Sequence, residues 1–272
     1  MNAAGGSAFI DGIAFWAPHL PGWELAKQVL RGEMAAPSEP ARRPAPALLP
    51  PTERRRAPDT VAVSLEVAAR ACEAAGVDPA TTASVFASTH GDLAISDYMC
   101  ETLVSTPTLT SPIRFHNSVH NAAAGYWTIA TGCHAPYTAL SAHTSTFGEG
   151  LLESLVQVSA DACPVLYVAY DIAARGPMAT MAPSAGLLGA GLVLGPGPSS
   201  RSRLRLDWHI VPAVADALTP ASPANLALAG GNAMAPCLPF FESLAHGRGK
   251  VVLALGPGLA LDVDVVVPEC RG

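Results

Sequence analysis

The sequence predicts an α/β protein with helices on both faces of a largely buried sheet. Three observations predict it. Apolar runs at strand spacing alternate with stretches at helical spacing along most of the chain. The run at residues 164–170, PVLYVAY, is apolar throughout, as a buried strand requires. Half of the 272 residues are hydrophobic and only 14% are charged, against about 25% in a typical globular domain. A surface so short of charge favours a chain that hides area against a partner.

Taken in order, residues 7–17 read as a strand. Pro21-Gly22 then turns the chain into a helix over 23–31, with Gly32 as its C-cap. Residues 35–51 hold Pro37, Pro40, Pro44, Pro46, Pro50 and Pro51. Proline fixes φ and donates no amide proton, so 35–57 is expected to be a Pro/Arg-rich loop within one domain spanning 1–272. Pro58-Asp59 opens a helix that runs to Gly76. A strand follows at 83–88, a helix at 93–103, and a loop over 105–112. Val119, Ala123, Tyr126, Trp127 and Ala130 share one face, which predicts a single helix over 117–131. A turn at 132–136 leads to a strand at 137–141 and a helix at 145–159. Strands are then expected at 164–170, 187–194 and 204–211, a helix at 238–246, and a hairpin of 251–255 with 259–267 across Gly256-Pro257-Gly258.

Composition excludes several classes. Net charge is −6, and no Lys/Arg cluster is large enough for a nucleic-acid footprint. The triplet Arg54-Arg55-Arg56 reads as a solvated loop. No run reaches the ~18 uninterrupted apolar residues of a membrane span, and residues 1–15 carry no basic leader, so a cytoplasmic protein is expected. The cysteines, Cys72, Cys100, Cys133, Cys163, Cys237 and Cys270, are scattered with no CxxC pair, and the simplest account is buried reduced thiols.

Residues 115–150 concentrate the polar chemistry, with His116, His120, His134 and His143 in one stretch. The i,i+4 pair His116/His120 has metal-ligand spacing, but the glutamate a zinc-hydrolase helix supplies is missing, so interior hydrogen-bonding histidines are the better account. Gly189-Ala190-Gly191 lies inside an apolar strand and is not a dinucleotide loop; close strand packing explains it. Residues 141–145 (SAHTS) sit where a strand meets a helix. A nucleophile is common there, because the helix end offers backbone donors and positive potential. A hydroxyl there is also an ordinary N-cap.

The order of these pieces resembles the N-terminal half of a β-ketoacyl synthase. AFIDGIAFWAP resembles the first strand of those enzymes and GWELAKQVLRGE the helix after it. VAARACEAAGVDPATTASVFAST resembles their next helix and strand. NSVHNAAAGYWTIATGCHAPYTALSAHTSTFGEG resembles the nucleophile segment, with Asn117, Gly125, Gly132 and Pro136 in family positions. AGLLGAGLVLGP resembles the strand that follows. The likeness covers most of residues 8–195. It is nearest to the short, N-terminal-type proteins described as chain-length factors in aryl polyene pigment clusters.

The resemblance implies a thiolase-like layered fold of about one ketosynthase half with a short strand, helix and hairpin extension. Counted from Gly132 and Pro136, the family's catalytic cysteine falls at Thr144. A thiolate is accessible near neutral pH, because cysteine titrates at about 8.5 and lower at a helix end. A threonine needs a dedicated base. The family's two later histidines have no counterpart context after Pro196. The chain is therefore expected to lack condensing activity alone and to pair with a full-length ketosynthase, with acyl carrier protein reached through that complex. It would complete the acyl tunnel and limit chain length, with no cofactor and no metal. Asn117, His120, Trp127, Tyr137, Thr138, Leu140, Ala142, His143, Thr144 and Phe147 are the expected interface and tunnel residues. The competing account is an acyl-thioester hydrolase or transferase using Thr144 or Ser145 with His143 or His120. A third possibility is a docking module for acidic carrier proteins, through residues 54–56 or Arg201, Arg203 and Arg205.

Overall fold

The long first strand β1 (Gly5–Ala17) reads apolar on both faces and becomes fully buried after its first turns. Residues 4–213 and 217–268 are described in this computed structural model. A two-residue strand β2 (Leu20–Pro21) folds back on β1, and α1 (Trp23–Leu30) follows. The proline-rich crossing ends in a short helix, α2 (Pro51–Arg56), with Pro51 in its first turn. The expected loop over 35–57 therefore carries one helical turn and a half. Proline is tolerated where the amide would have no partner, and the Arg54 side chain turns back onto the carbonyls of Ala47 and Leu49.

Next come α3 (Asp59–Ala75), β3 (Ala83–Ala87), α4 (Leu93–Ser105), α5 (Pro112–Ser118), α6 (Ala122–Thr131) and β4 (Tyr137–Leu140). The helix expected over 117–131 is two helices, α5 and α6, with Val119 extended between them. Pro112 and Ser111 start a helix upstream of the predicted one, and the β-branched Val119 takes the extended φ/ψ of its C-cap. The remaining elements are α7 (Thr146–Asp161), β5 (Val165–Ile172), α8 (Met178–Met181), β6 (Leu187–Gly195), β7 (Leu204–Pro212), α9 (Pro223–Leu228), α10 (Leu238–His246), β8 (Gly249–Ala254) and β9 (Leu259–Val266).

The described strands form one nine-stranded sheet, ordered β4-β3-β5-β6-β1-β7-β9-β8, with β2 beside β1. The β3–β4 and β3–β5 pairs are parallel and the others antiparallel. One face packs on α1, α7 and α10, and the other on α3 and α6. Phe147, Leu151, Leu155 and Val158 of α7 are buried in the first core, each contributing about 1.5–3 kcal/mol at most. On the second face α3 lies so close that a side chain at Gly191 would stand 2.6 Å from the Val67 carbonyl. The Gly-Ala-Gly run therefore serves packing.

Helices cover both faces only over the first part of the sheet. In β7, β8 and β9 the apolar residues alternate toward the first core. Arg205, Asp207, Lys250, Asp262 and Asp264 leave the opposite face polar. Alternation of this kind marks a sheet with one solvated face.

Candidate functional site at the strand–helix elbow

Among the described strands, β4 is the last on its side of the sheet and pairs only with β3. Its end is a sharp turn, a 3-10 segment His143–Ser145, that feeds α7. His143 sits in this turn with φ +53°, a left-handed conformation costing about 1–2 kcal/mol in a non-glycine residue. Such strain persists only where the surroundings over-determine it. Here Thr146 does so: its hydroxyl donates to the His143 carbonyl at 2.7 Å and accepts from the Ala142 amide at 3.0 Å.

The tip of the β8–β9 hairpin locks the first turns of α7. Ser145 Oγ donates to the Leu255 carbonyl at 2.8 Å, and Glu149 Oε1 accepts from the Gly256 amide at 2.6 Å. Any side chain at Gly148 would overlap the Ala254 carbonyl, so a residue without Cβ is required for the hairpin to approach this closely. Behind the elbow, Phe147 joins an aromatic cluster with Tyr167, Phe240 and Phe241. The Tyr167 hydroxyl donates to the Phe147 carbonyl at 2.7 Å, and burial pushes the Tyr167 phenol well up.

Two side chains at the elbow stay uncommitted. His143 and Thr144 are exposed, and among the described residues neither side chain has a hydrogen-bond partner. The count from the sequence put Thr144 at the nucleophile position; the residue the turn strains is His143, with Thr144 next to it. Both belong to a 3-10 turn rather than a strand. No base is assembled on Thr144, and Ser145 spends its hydroxyl on the hairpin.

The other expected residues divide. Ala142 belongs to the turn itself. Tyr137, Thr138 and Leu140 lie on the edge strand. The Tyr137 hydroxyl accepts from Asn121 Nδ2 at 3.0 Å, and Thr138 Oγ1 accepts from Gln157 Nε2 at 3.1 Å. His120 Nε2 hydrogen-bonds the Ser88 carbonyl at 2.8 Å. Trp127 is fully buried in the second core. Asn117 is buried with its Oδ1 unpartnered among the described residues.

The histidines were expected to satisfy one another inside the molecule. Instead His116, His134 and His143 are exposed. The break at Val119 takes His116 and His120 off a common helix face. No group of three or more His, Cys, Asp or Glu side chains able to hold a metal occurs among the described residues. The thiols were expected to be buried; Cys100 and Cys163 are exposed, whereas Cys72, Cys133 and Cys237 are buried. Burial pushes Cys72 up to about 12. Cys270 lies outside the described residues.

Sequence reasoning missed two features. A buried anchor lies beside the elbow: Asp171 accepts from Ser88 Oγ at 2.8 Å and from the Thr89 and His90 amides at 3.0 and 3.3 Å. Burial raises its carboxyl and these hydrogen bonds pull it back in part. The Ser141 hydroxyl ties the elbow to the same loop through the Thr89 carbonyl, at 2.8 Å. An exposed apolar set also lies on α4, α5 and their connection: Leu103, Val104, Leu109, Ile113 and Phe115, with Val119 just beyond. Tyr137 of the edge strand is exposed as well. Its only advance signal was the low overall charge.

Residues 23–237 match the family model described as "Beta-ketoacyl synthase, N-terminal domain". The chain belongs to that family. The fold is thiolase-like, the layered α/β form of a ketosynthase N-terminal half. Among solved structures, the chain resembles one of a ketosynthase (ApeO) in complex with its chain length factor (ApeC) from Xenorhabdus doucetiae. The TM-score is 0.72 and the identity 20%, over 95% of this chain and 99% of that one. It also resembles the ishigamide ketosynthase/chain length factor, with a TM-score of 0.68 and 13% identity, over 96% and 99% of the two chains. A third likeness is to AntDE:AntF, a type II PKS acyl-carrier protein in complex with its ketosynthase, with a TM-score of 0.72 and 11% identity, over 97% and 100%. Comparison with curated proteins returned no match. No helix among the described residues is long and apolar enough to cross a membrane.

Proposed function

We propose that this chain is a non-catalytic, chain-length-factor-like subunit of a β-ketoacyl-[acyl carrier protein] synthase. It acts in the cytoplasm, in polyene- or fatty-acid-type chain elongation such as aryl polyene assembly. The observation that carries the proposal is the elbow. Its backbone is strained and braced like that of a nucleophile turn, yet the side chains there are His143 and Thr144, with no thiol and no hydrogen-bonded base. A full-length ketosynthase partner would supply the nucleophile and the histidines.

The edge strand and its surroundings support that partnership. An open edge next to exposed apolar side chains is an aggregation hazard in a lone protein. A partner strand laid against β4 removes it. Tyr137, Thr138, Leu140, Ala142, His143 and Thr144 then belong to the seam and the tunnel, with Asn117, His120 and Trp127 behind it on one face of the sheet and Phe147 on the other. The exposed Arg55 and Arg56 of α2 offer the complex a basic face for acidic carrier protein.

Co-expression with a neighbouring ketosynthase tests the proposal. A stable one-to-one complex that condenses acyl thioesters, with neither subunit active alone, is the expected result. A chain that stays apart from that ketosynthase overturns it.

A further inference from the structure

The basic residues of the proline-rich crossing divide into two kinds. Residues 42–56 hold five of the 16 Lys and Arg and one acid, Glu53, in a chain of net charge −6. Two of the five arginines hold the crossing in place. Arg54 donates to the Ala47 and Leu49 carbonyls at 3.2 and 2.8 Å. Arg43 donates to the Ala57 carbonyl and pairs with Asp59 at 2.8 Å. Proline fixes φ as well, so this segment forms a preset wall. Arg56, in the last turn of α2, is different: it is exposed, and among the described residues its side chain has no hydrogen-bond or ion-pair partner.

The wall borders an apolar groove of about 720 Å³. Leu48 and Pro50 come from the crossing, Ile113 from α5, and Tyr126, Ile129 and Ala130 from α6. Tyr126 and Ala130 pack against the second core, whereas Ile113 and Ile129 are 62% and 79% exposed. The polar groups of the lining are Glu53, Arg56 and His116. His116 stands edge-on to Tyr126, with ring centroids 6.2 Å apart. Small-molecule sites take this form: concave, about 300–1,000 Å³, mainly apolar, with a few polar groups that fix orientation.

We infer that this groove binds a single-chain amphiphile with an anionic head, of the class of a free medium-chain carboxylic acid. The chain lies along Ile113, Tyr126 and Ile129 and takes exposed apolar surface out of water. The carboxylate meets Arg56, whose guanidinium can hold it through two parallel hydrogen bonds. Glu53, one turn earlier on α2 and in the same lining, repels that head and so sets the direction in which the ligand lies. The inference does not rest on the ketosynthase partnership, because neither β4 nor the elbow lines the groove.

The probe is decanoate, added below its micelle concentration to the isolated full chain, with decanol as the uncharged control. Isothermal titration calorimetry should show saturable one-to-one binding. Arg56→Gln should weaken decanoate about tenfold and leave decanol unchanged. Glu53→Gln should tighten decanoate, and Ile129→Ser should weaken both ligands about fivefold. All three side chains are exposed, so the variants should fold. Decanoate binding that Arg56→Gln and Ile129→Ser leave unchanged overturns the inference, as does an absence of binding at millimolar decanoate. A dimer in sedimentation that Ile129→Ser dissolves would mean that a second copy covers the groove, which also overturns it. Attachment to phosphatidylglycerol vesicles without binding of free decanoate would assign the groove to a membrane surface instead and overturn it too.

Discussion

Two polar junctions lie side by side in this molecule, and they are built in opposite ways. Where β3 and β5 end, Asp171 is fully buried and its carboxylate is bonded internally, to Ser88, Thr89 and His90. Where β4 ends, the backbone is strained at His143 while the side chains of His143 and Thr144 are left to solvent. The first junction uses its polar groups on the fold. The second uses the fold, through Thr146, Ser145 and Glu149, to hold a turn in which the side chains of His143 and Thr144 make no hydrogen bond among the described residues. Under the proposed function, such an asymmetry fits a position kept for a partner subunit.

Substitutions should separate the two. Asp171→Ala removes the acceptor for one buried donor, the Ser88 hydroxyl, and two half-buried ones, the Thr89 and His90 amides, and leaving donors unpaired costs about 1–3 kcal/mol each where they cannot rehydrate. A loss of about 3 kcal/mol or more is expected in urea unfolding, against nothing measurable for Thr144→Ala. Gly148→Ala pushes a methyl into the Ala254 carbonyl, and overpacking of this kind costs about 1–3 kcal/mol. A lowered Tm with the hairpin tip exposed to hydrogen exchange would show that the elbow is held from the C-terminal side. His143→Gly should stabilise slightly. Relief of about 1–2 kcal/mol of strain exceeds the entropy cost of about 0.5–1 kcal/mol for a glycine.

A pH series sharpens the contrast further. Burial holds the folded Asp171 carboxyl above its unfolded value, so the folded state disfavours its ionised form. Its contribution to stability is therefore best in acid and falls as pH rises from the ordinary carboxylate range through the folded value. Asp171→Asn lacks that titration. The Tm of the variant minus that of the parent should rise between pH 4 and pH 8; a flat difference would mean that Asp171 is not desolvated as the geometry implies.

Much of the fold was legible because period carries it. The strands β1, β5, β6 and the β8–β9 hairpin follow apolar runs bounded by Gly and Pro, and α3 and α7 follow their stripes. The break at Val119 was not legible: one continuous apolar face spans it, and the interruption is a backbone event set by the preceding Pro112 helix. The meeting of a strand and a helix at 141–145 was legible, but the strained residue there is a matter of φ, to which side-chain spacing is blind. The pairing of Ser88 with Asp171 joins residues 83 positions apart, a contact that spacing along the chain does not carry. The polar face of β7, β8 and β9 was written in alternation, and the expectation of helices on both faces passed over it.

The central claim is that the elbow is structurally intact and chemically silent, and it has a direct measurement. Decarboxylative condensation of acyl thioesters should be assayed for the isolated chain, for the neighbouring ketosynthase, and for their complex, each with parent and Thr144→Ala protein. The account predicts turnover only in the complex, retained with Thr144→Ala. Turnover by the isolated chain that disappears with Thr144→Ala would contradict it.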